Sequence, residues 1–187
     1  QDQILQTILS RSQQIMFPPL TETDISGALV RKRGISEANA KLIAAFAQGS
    51  YTKALEHFDS DMQGLRSDAV DMFRLSITKQ NFRMPLIAKI DEVAKTKDKT
   101  RLEEIIGILQ LWIRDAIIIS RTGRADAIVN ADQADALSRF ANNFAEKDLS
   151  AVMDALEVAA RQIPRNVSLQ LIMLGMFMKI RQILLVG

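Results

Sequence analysis

No cysteine occurs in the 187 residues. This excludes a disulfide framework, a thiolate nucleophile and a cysteine-based zinc site, and it accords with a reducing cytosol. A single histidine, His57, leaves no multi-histidine metal centre. Glycine and proline are scarce, at 8 and 4 residues, and aromatics make up only 5%. An excess of charge of either sign is also missing. Lys and Arg number 24 against 22 Asp and Glu, a net charge of +2, which is too mild to point to nucleic acid. The sharpest basic runs read as structural: Arg31-Lys32-Arg33 as cations at a helix C-terminus, and Lys95 to Lys99 as a solvated turn. Gln1 and Asp2 open the chain without a basic start and apolar run, so no signal peptide is visible. The start on Gln rather than Met reads as a piece of a longer protein. The apolar stretch Leu169 to Met178 falls short of the roughly 20 residues that span a bilayer, so no membrane contact is expected.

What remains is a helix-forming alphabet of Ala, Leu, Ile, Met, Gln, Glu, Lys and Arg, 48% hydrophobic over the chain when all apolar residues are counted. Pro18-Pro19 is a hard stop and a linker. Thr21-x-x-Asp24 opens a helix as a near capping box, and Gly34 ends it. Ser36 starts a second helix with Ala40, Ile43, Ala44 and Ala47 on one stripe, and Ser50 caps a third carrying Ala54, Leu55 and Phe58. The polar run Ser60 to Ser67 is the candidate boundary. Beyond it the predicted helices lengthen: about 65–78, 84–95 with Pro85 in its first turn, 100–121, one capped by Asp132 through Phe144, one from near Ser150 to about Pro164, and 169–186. The stripe from Leu102 to Ile117 is broad enough to be buried on more than one side. The last helix is apolar on almost every face, so it is either central in its domain or packed against another subunit. The expected class is all-α: a three-helix module at 18–62, then a bundle of five or six helices at 63–187. Residues 1–17, ending in a short strand over Gln14 to Phe17, read as the remnant of an upstream α/β core.

No acid–base or nucleophile constellation stands out. His57 is expected on a helix surface and Glu103-Glu104 in a solvated first turn, with no carboxylate pair on an apolar face. Trp112 lies on the apolar stripe and reads as core. Met173, Met176 and Met178 read as adaptable packing, and any exposed share of them as a subunit interface.

Several runs are similar to those of a known family. Gln6-Thr7-Ile8-Leu9-Ser10-Arg11-Ser12-Gln13, followed by Ile15, Phe17, Pro19 and Leu20, resembles the end of the AAA+ ATPase core of clamp-loader subunits, where the pattern is P-T-I-x-S-R-C-Q, a strand, then F-x-P-L. Gly34-Ile35-Ser36, Ala47-Gln48-Gly49-Ser50 and Ala54-Leu55 resemble the lid that follows. Leu109-x-x-Trp112-x-Arg114-Asp115 and Arg165-Asn166-Val167-Ser168-Leu169-Gln170-Leu171 resemble the helical collar of subunits of the delta-prime type in bacterial DNA polymerase III. Ser12 departs from the pattern, standing where the family has Cys.

The resemblance implies a role for Arg11: an arginine finger that reaches the ATP of a neighbouring subunit, where a planar guanidinium stabilises charge on phosphate oxygens. Motor subunits place an arginine in the lid pattern G-S-x-R-x-A-L. Here Thr52 stands at that position within Gly49-Ser50-Tyr51-Thr52-Lys53-Ala54-Leu55, and a hydroxyl cannot pair phosphate as a guanidinium does. This favours a subunit that uses no nucleotide of its own. The resemblance further implies no cofactor in this stretch and no activity by itself. It implies gamma/tau- and delta-type partners through the collar, indirect contact with the sliding clamp and primed DNA, and a cytoplasmic location. Two rival readings are a gamma/tau-type motor ATPase subunit and an unrelated helical adaptor or nucleic-acid-binding module.

Overall fold

The computed structural model describes residues 17–59, 62–165 and 167–186. Among them every regular element is helical: nine α-helices, one 3₁₀ turn and one π-helical turn. Three short helices come first, α1 (Glu22–Arg33), α2 (Glu37–Ala47) and α3 (Tyr51–Asp59). Six more follow: α4 (Met62–Ser76), α5 (Arg83–Ala94), α6 (Lys99–Thr122), α7 (Ala134–Asn143), α8 (Leu149–Gln162) and α9 (Leu169–Arg181). The all-α reading holds. The expected strand over Gln14 to Phe17 lies outside the described residues except for Phe17, which is irregular and exposed.

Local chemistry sets most helix ends. The Thr21 hydroxyl accepts the Asp24 N–H at 3.1 Å, and Ser36 and Ser50 accept the N–H groups of Asn39 and Lys53. Gly34 closes α1 in the left-handed region at φ 68°. Arg31, Lys32 and Arg33 fill its last turn, where the helix dipole favours cations. Lys32 and Arg33 also lie over the Tyr51 and Phe58 rings. Gly49, at φ 81°, lets Pro19 cross close by; a Cβ there would sit 2.4 Å from the proline Cβ.

Two hydrophobic cores result. The small one joins Ile25 and Leu29 of α1 to Ala40, Ile43, Ala44 and Ala47 of α2 and Ala54 of α3. The large one is built around α6, whose residues Leu102, Ile105, Ile106, Ile108, Leu109, Trp112, Ile113, Ala116 and Ile119 are all buried. Phe73, Trp112 and Phe140 meet in tilted and edge-on contacts with centroids 4.8–5.5 Å apart. The Trp112 indole donates to Gln133 at 2.9 Å. As expected, Trp112 is core and α6 is buried on more than one side. The polar run 60–67 is largely helix: α4 has begun by Met62, and Leu65 and Arg66 are buried.

A polar relay fixes the segment between α6 and α7. Arg66 of α4, 8% exposed, donates to both carboxylate oxygens of Asp132 at 2.8 Å and to the Asn130 side-chain oxygen at 2.8 Å. Asn130 donates its backbone and side-chain N–H groups to Asp115, at 2.8 and 2.7 Å. Asp115 is fully buried in α6 and also accepts from Arg114. The expected helix cap at Asp132 is therefore corrected. Its carboxylate is taken by Arg66, it sits in a 3₁₀ turn (Ala131–Gln133), and α7 starts after it without a side-chain cap. On the opposite side of α4, Asp68 accepts from Lys89 of α5 and Arg101 of α6, tying three helices at one point.

Removing one partner of a buried pair costs about 3–5 kcal/mol, and less where a partner meets water. The Asp132 side chain is 42% exposed. Arg66→Met is therefore expected to destabilise the chain by about 2–3 kcal/mol, read as a lower urea midpoint at unchanged slope. The hydrogen bonds from Arg66 hold the Asp132 carboxyl below its usual pKa, against an opposing effect of desolvation. A carboxylate depressed in the folded state stabilises above its unfolded pKa and loses that contribution as pH falls through the folded one. Asp132→Asn is therefore expected to be the weaker protein at neutral pH. The gap between the two urea midpoints should close as pH drops below about 4.

Candidate assembly surface

The last helix is where sequence and packing disagree most. From Leu169 to Met178 it carries only Gln170 and Gly175 among apolar residues, so nothing in its composition marks an outer face. Folding nevertheless assigns one. Ile172, Met173, Met176, Phe177 and Ile180 turn inward and are buried. Leu171 and Met178 are two turns apart on the opposite face, 62% and 41% exposed, with Gly175 between them and open space above its Cα.

Neighbouring helices extend this face. On one flank α8 exposes Val158 (47%), and Val158, Ala151, Gly175 and Ile183 line a groove of about 560 Å³ between α8 and α9, with Asp154 and Lys179 at its rim. On the other flank α5 exposes Met84 and Ile87. There α9 is fastened at both ends: Gln170 donates to Asp91 at 2.6 Å, and Arg181 grips the end of α4. The Arg181 guanidinium donates to the carbonyls of Ser76, Thr78 and Lys79 at 2.6–3.2 Å and stacks 3.7 Å from the Phe82 ring centroid.

Leu169–Val186 continues as one rod, since α9 runs on into a π-helical turn (Gln182–Val186). The rod has the length expected for the last helix, 169–186, but the span read as too short for a bilayer was only Leu169 to Met178; over its whole length the rod is, by length and composition alone, apolar enough to cross a membrane. Its inner face is part of the bundle core, and Arg181 is committed to the carbonyls of Ser76, Thr78 and Lys79.

The other residues singled out from sequence fall as follows. Arg11, with its neighbours Ser10 and Ser12, lies outside the described residues. Thr52 and Lys53 are exposed in the first turn of α3. Glu103 is exposed as expected, but His57 and Glu104 are not free surface groups. His57 Nδ1 lies 3.1 Å from a Glu104 carboxylate oxygen, both side chains are mostly covered, and His57 meets Phe46 edge-on. The correction has one cause: α3 lies against α6, a contact between residues 47 positions apart that periodicity cannot reveal. Sequence reasoning also missed Arg66 and Asn130. The available signal was Asp115, an acid set within the apolar stripe of α6, which requires buried donors.

Among the described residues every regular element is helical, and the last helix is core on one side and bare apolar surface on the other, the character of a surface that meets another protein. The family described as "DNA polymerase III, delta subunit, C terminal" matches residues 86–182, from the first turn of α5 to the end of α9 and just over half of the chain. The chain belongs to this clamp-loader family. Comparison with curated proteins and with solved structures gives no match.

Proposed function

We propose that this chain is the C-terminal half of a delta-prime-type clamp-loader subunit, acting in DNA polymerase III as a scaffold that holds sister subunits while the sliding clamp is loaded on primed DNA. The observation that carries the reading is the apolar outer face of α9, flanked by the α8 groove and by Met84 and Ile87. A patch of this kind, centred on a helix within the stretch the family matches, has the character of a subunit interface. In this reading residues 18–62 are the AAA+ lid, 63–187 the collar that meets gamma/tau- and delta-type partners, and 1–17 the end of the ATPase core. The protein works in the cytoplasm, where replication takes place.

Two features support the delta-prime type over a motor subunit. Thr52, on the exposed first turn of α3, offers a hydroxyl where a motor subunit presents a guanidinium. The stretch holding Arg11 matches the clamp-loader finger pattern at Ser10 and Arg11. The subunit thus lends charge to a neighbour's ATP and needs none itself.

Reconstitution of the full-length chain with gamma/tau- and delta-type subunits tests both parts. Leu171→Glu with Met178→Glu places two charges on the proposed interface. The pair is expected to weaken assembly by about 2 kcal/mol or more, roughly thirtyfold in Kd, with unchanged helical circular dichroism. Unaltered assembly would remove α9 as the interface. Arg11→Ala is expected to depress ATP hydrolysis by the assembled loader about a thousandfold per affected site while the complex still forms. Hydrolysis at the wild-type rate would refute the finger.

A further inference from the structure

Helix α2 is buried on two opposite faces. Ala40, Ile43, Ala44 and Ala47 face α1 and α3 in the small core. Leu42, Ala45 and Phe46, about half a turn away, face the large core instead. The division of sizes is physical. Small residues let the three short helices close on one another, while the bulky Leu42 and Phe46 project towards the bundle.

Phe46 projects onto α6 at a position that carries no side chain. Gly107 interrupts a helix otherwise lined with Ile and Leu, and glycine within a helix costs about 1 kcal/mol relative to alanine. A Cβ at Gly107 would lie 2.6 Å from Phe46 Cε1 and 3.1 Å from Cζ. The ring also meets His57 edge-on, with centroids 5.7 Å apart, and His57 is bonded to Glu104, one turn before Gly107 on α6. Two elements of the three-helix unit, α2 and α3, thus grip one face of the central helix of the bundle.

We infer that Phe46 and Gly107 form a ball-and-socket joint, locked by His57–Glu104, that fixes the orientation of α1–α3 on the bundle so that the two turn as one body. A displacement of α1–α3 then passes to α6, and through α8, which packs against both α6 and α9, to the apolar face of α9. The glycine is tolerated within α6 because the socket requires it. The inference stands on the joint alone and does not depend on which partners α9 meets.

No cysteine among these 187 residues competes for the labels. Spin labels on Glu22→Cys in α1 and Glu157→Cys in α8, both exposed positions, report the orientation of the unit as a distance distribution. The wild-type joint is expected to give one narrow peak. Gly107→Val, which fills the socket, should shift or broaden that peak while the near-ultraviolet signal of Trp112 reports an intact large core. A broad wild-type distribution, or an unchanged peak in Gly107→Val, would overturn the inference. Should Gly107→Val fail to fold, Phe46→Ala decides in the same way: it removes the ball and adds no atom, so a peak as narrow and as placed as the wild type's would sink the joint.

Discussion

A charged guanidinium inside a helical bundle is a constraint before it is a bond. Arg66 is almost fully covered, and a cation taken out of water is costly unless every neighbour answers it. Asp132 and Asn130 answer it, Asn130 is held in turn by Asp115, and only the Arg66 Nε is left without a partner. The segment from Gly123 to Gln133 cannot choose its own path, because three of its polar groups are required at fixed points on α4 and α6. Ile128 and Val129 are drawn into the core beside them, and α7 must start where that segment ends. The packing of Phe140 against Trp112 follows from that placement.

The same economy governs helices α2 and α9. A helix with an apolar residue on every side must find a neighbour for each side, or leave one bare. In α2 both sides are covered within the chain, by Ala40, Ala44 and Ala47 around Ile43 on one, and by Leu42 with the partly buried Ala45 and Phe46 on the other. In α9 only one side is satisfied, and the bare side stands between α8 and α5. The contrast separates a helix covered within the chain from one left open to solvent, although the two look alike when read only as apolar stretches.

Features governed by nearby residues were legible in the sequence. Thr21, Gly34, Ser36 and Ser50 act at helix ends as their types predict, because a cap is completed within three or four residues. The broad stripe of α6 and the core role of Trp112 were legible for the same reason: 3.6-residue periodicity is local. Asp132 was misread as a cap, and His57 and Glu104 as solvated, because their partners lie 66 and 47 residues away. The double face of α9 was legible only as a choice between burial and contact, and the fold takes both. The place of Arg11 rests on the resemblance, since its surroundings lie outside the described residues.

Arg181 carries a consequence for biogenesis. Its guanidinium closes on carbonyls about a hundred positions earlier, Ser76 being 105 residues back. The end of α4 and the ring of Phe82 therefore wait for the last helix to leave the ribosome. At roughly 5–20 residues per second, that stretch takes on the order of 5–20 s to synthesise. During that interval the nascent bundle shows the apolar inner faces of α4 and α5 without their final cover, a window in which a holding chaperone has something to bind.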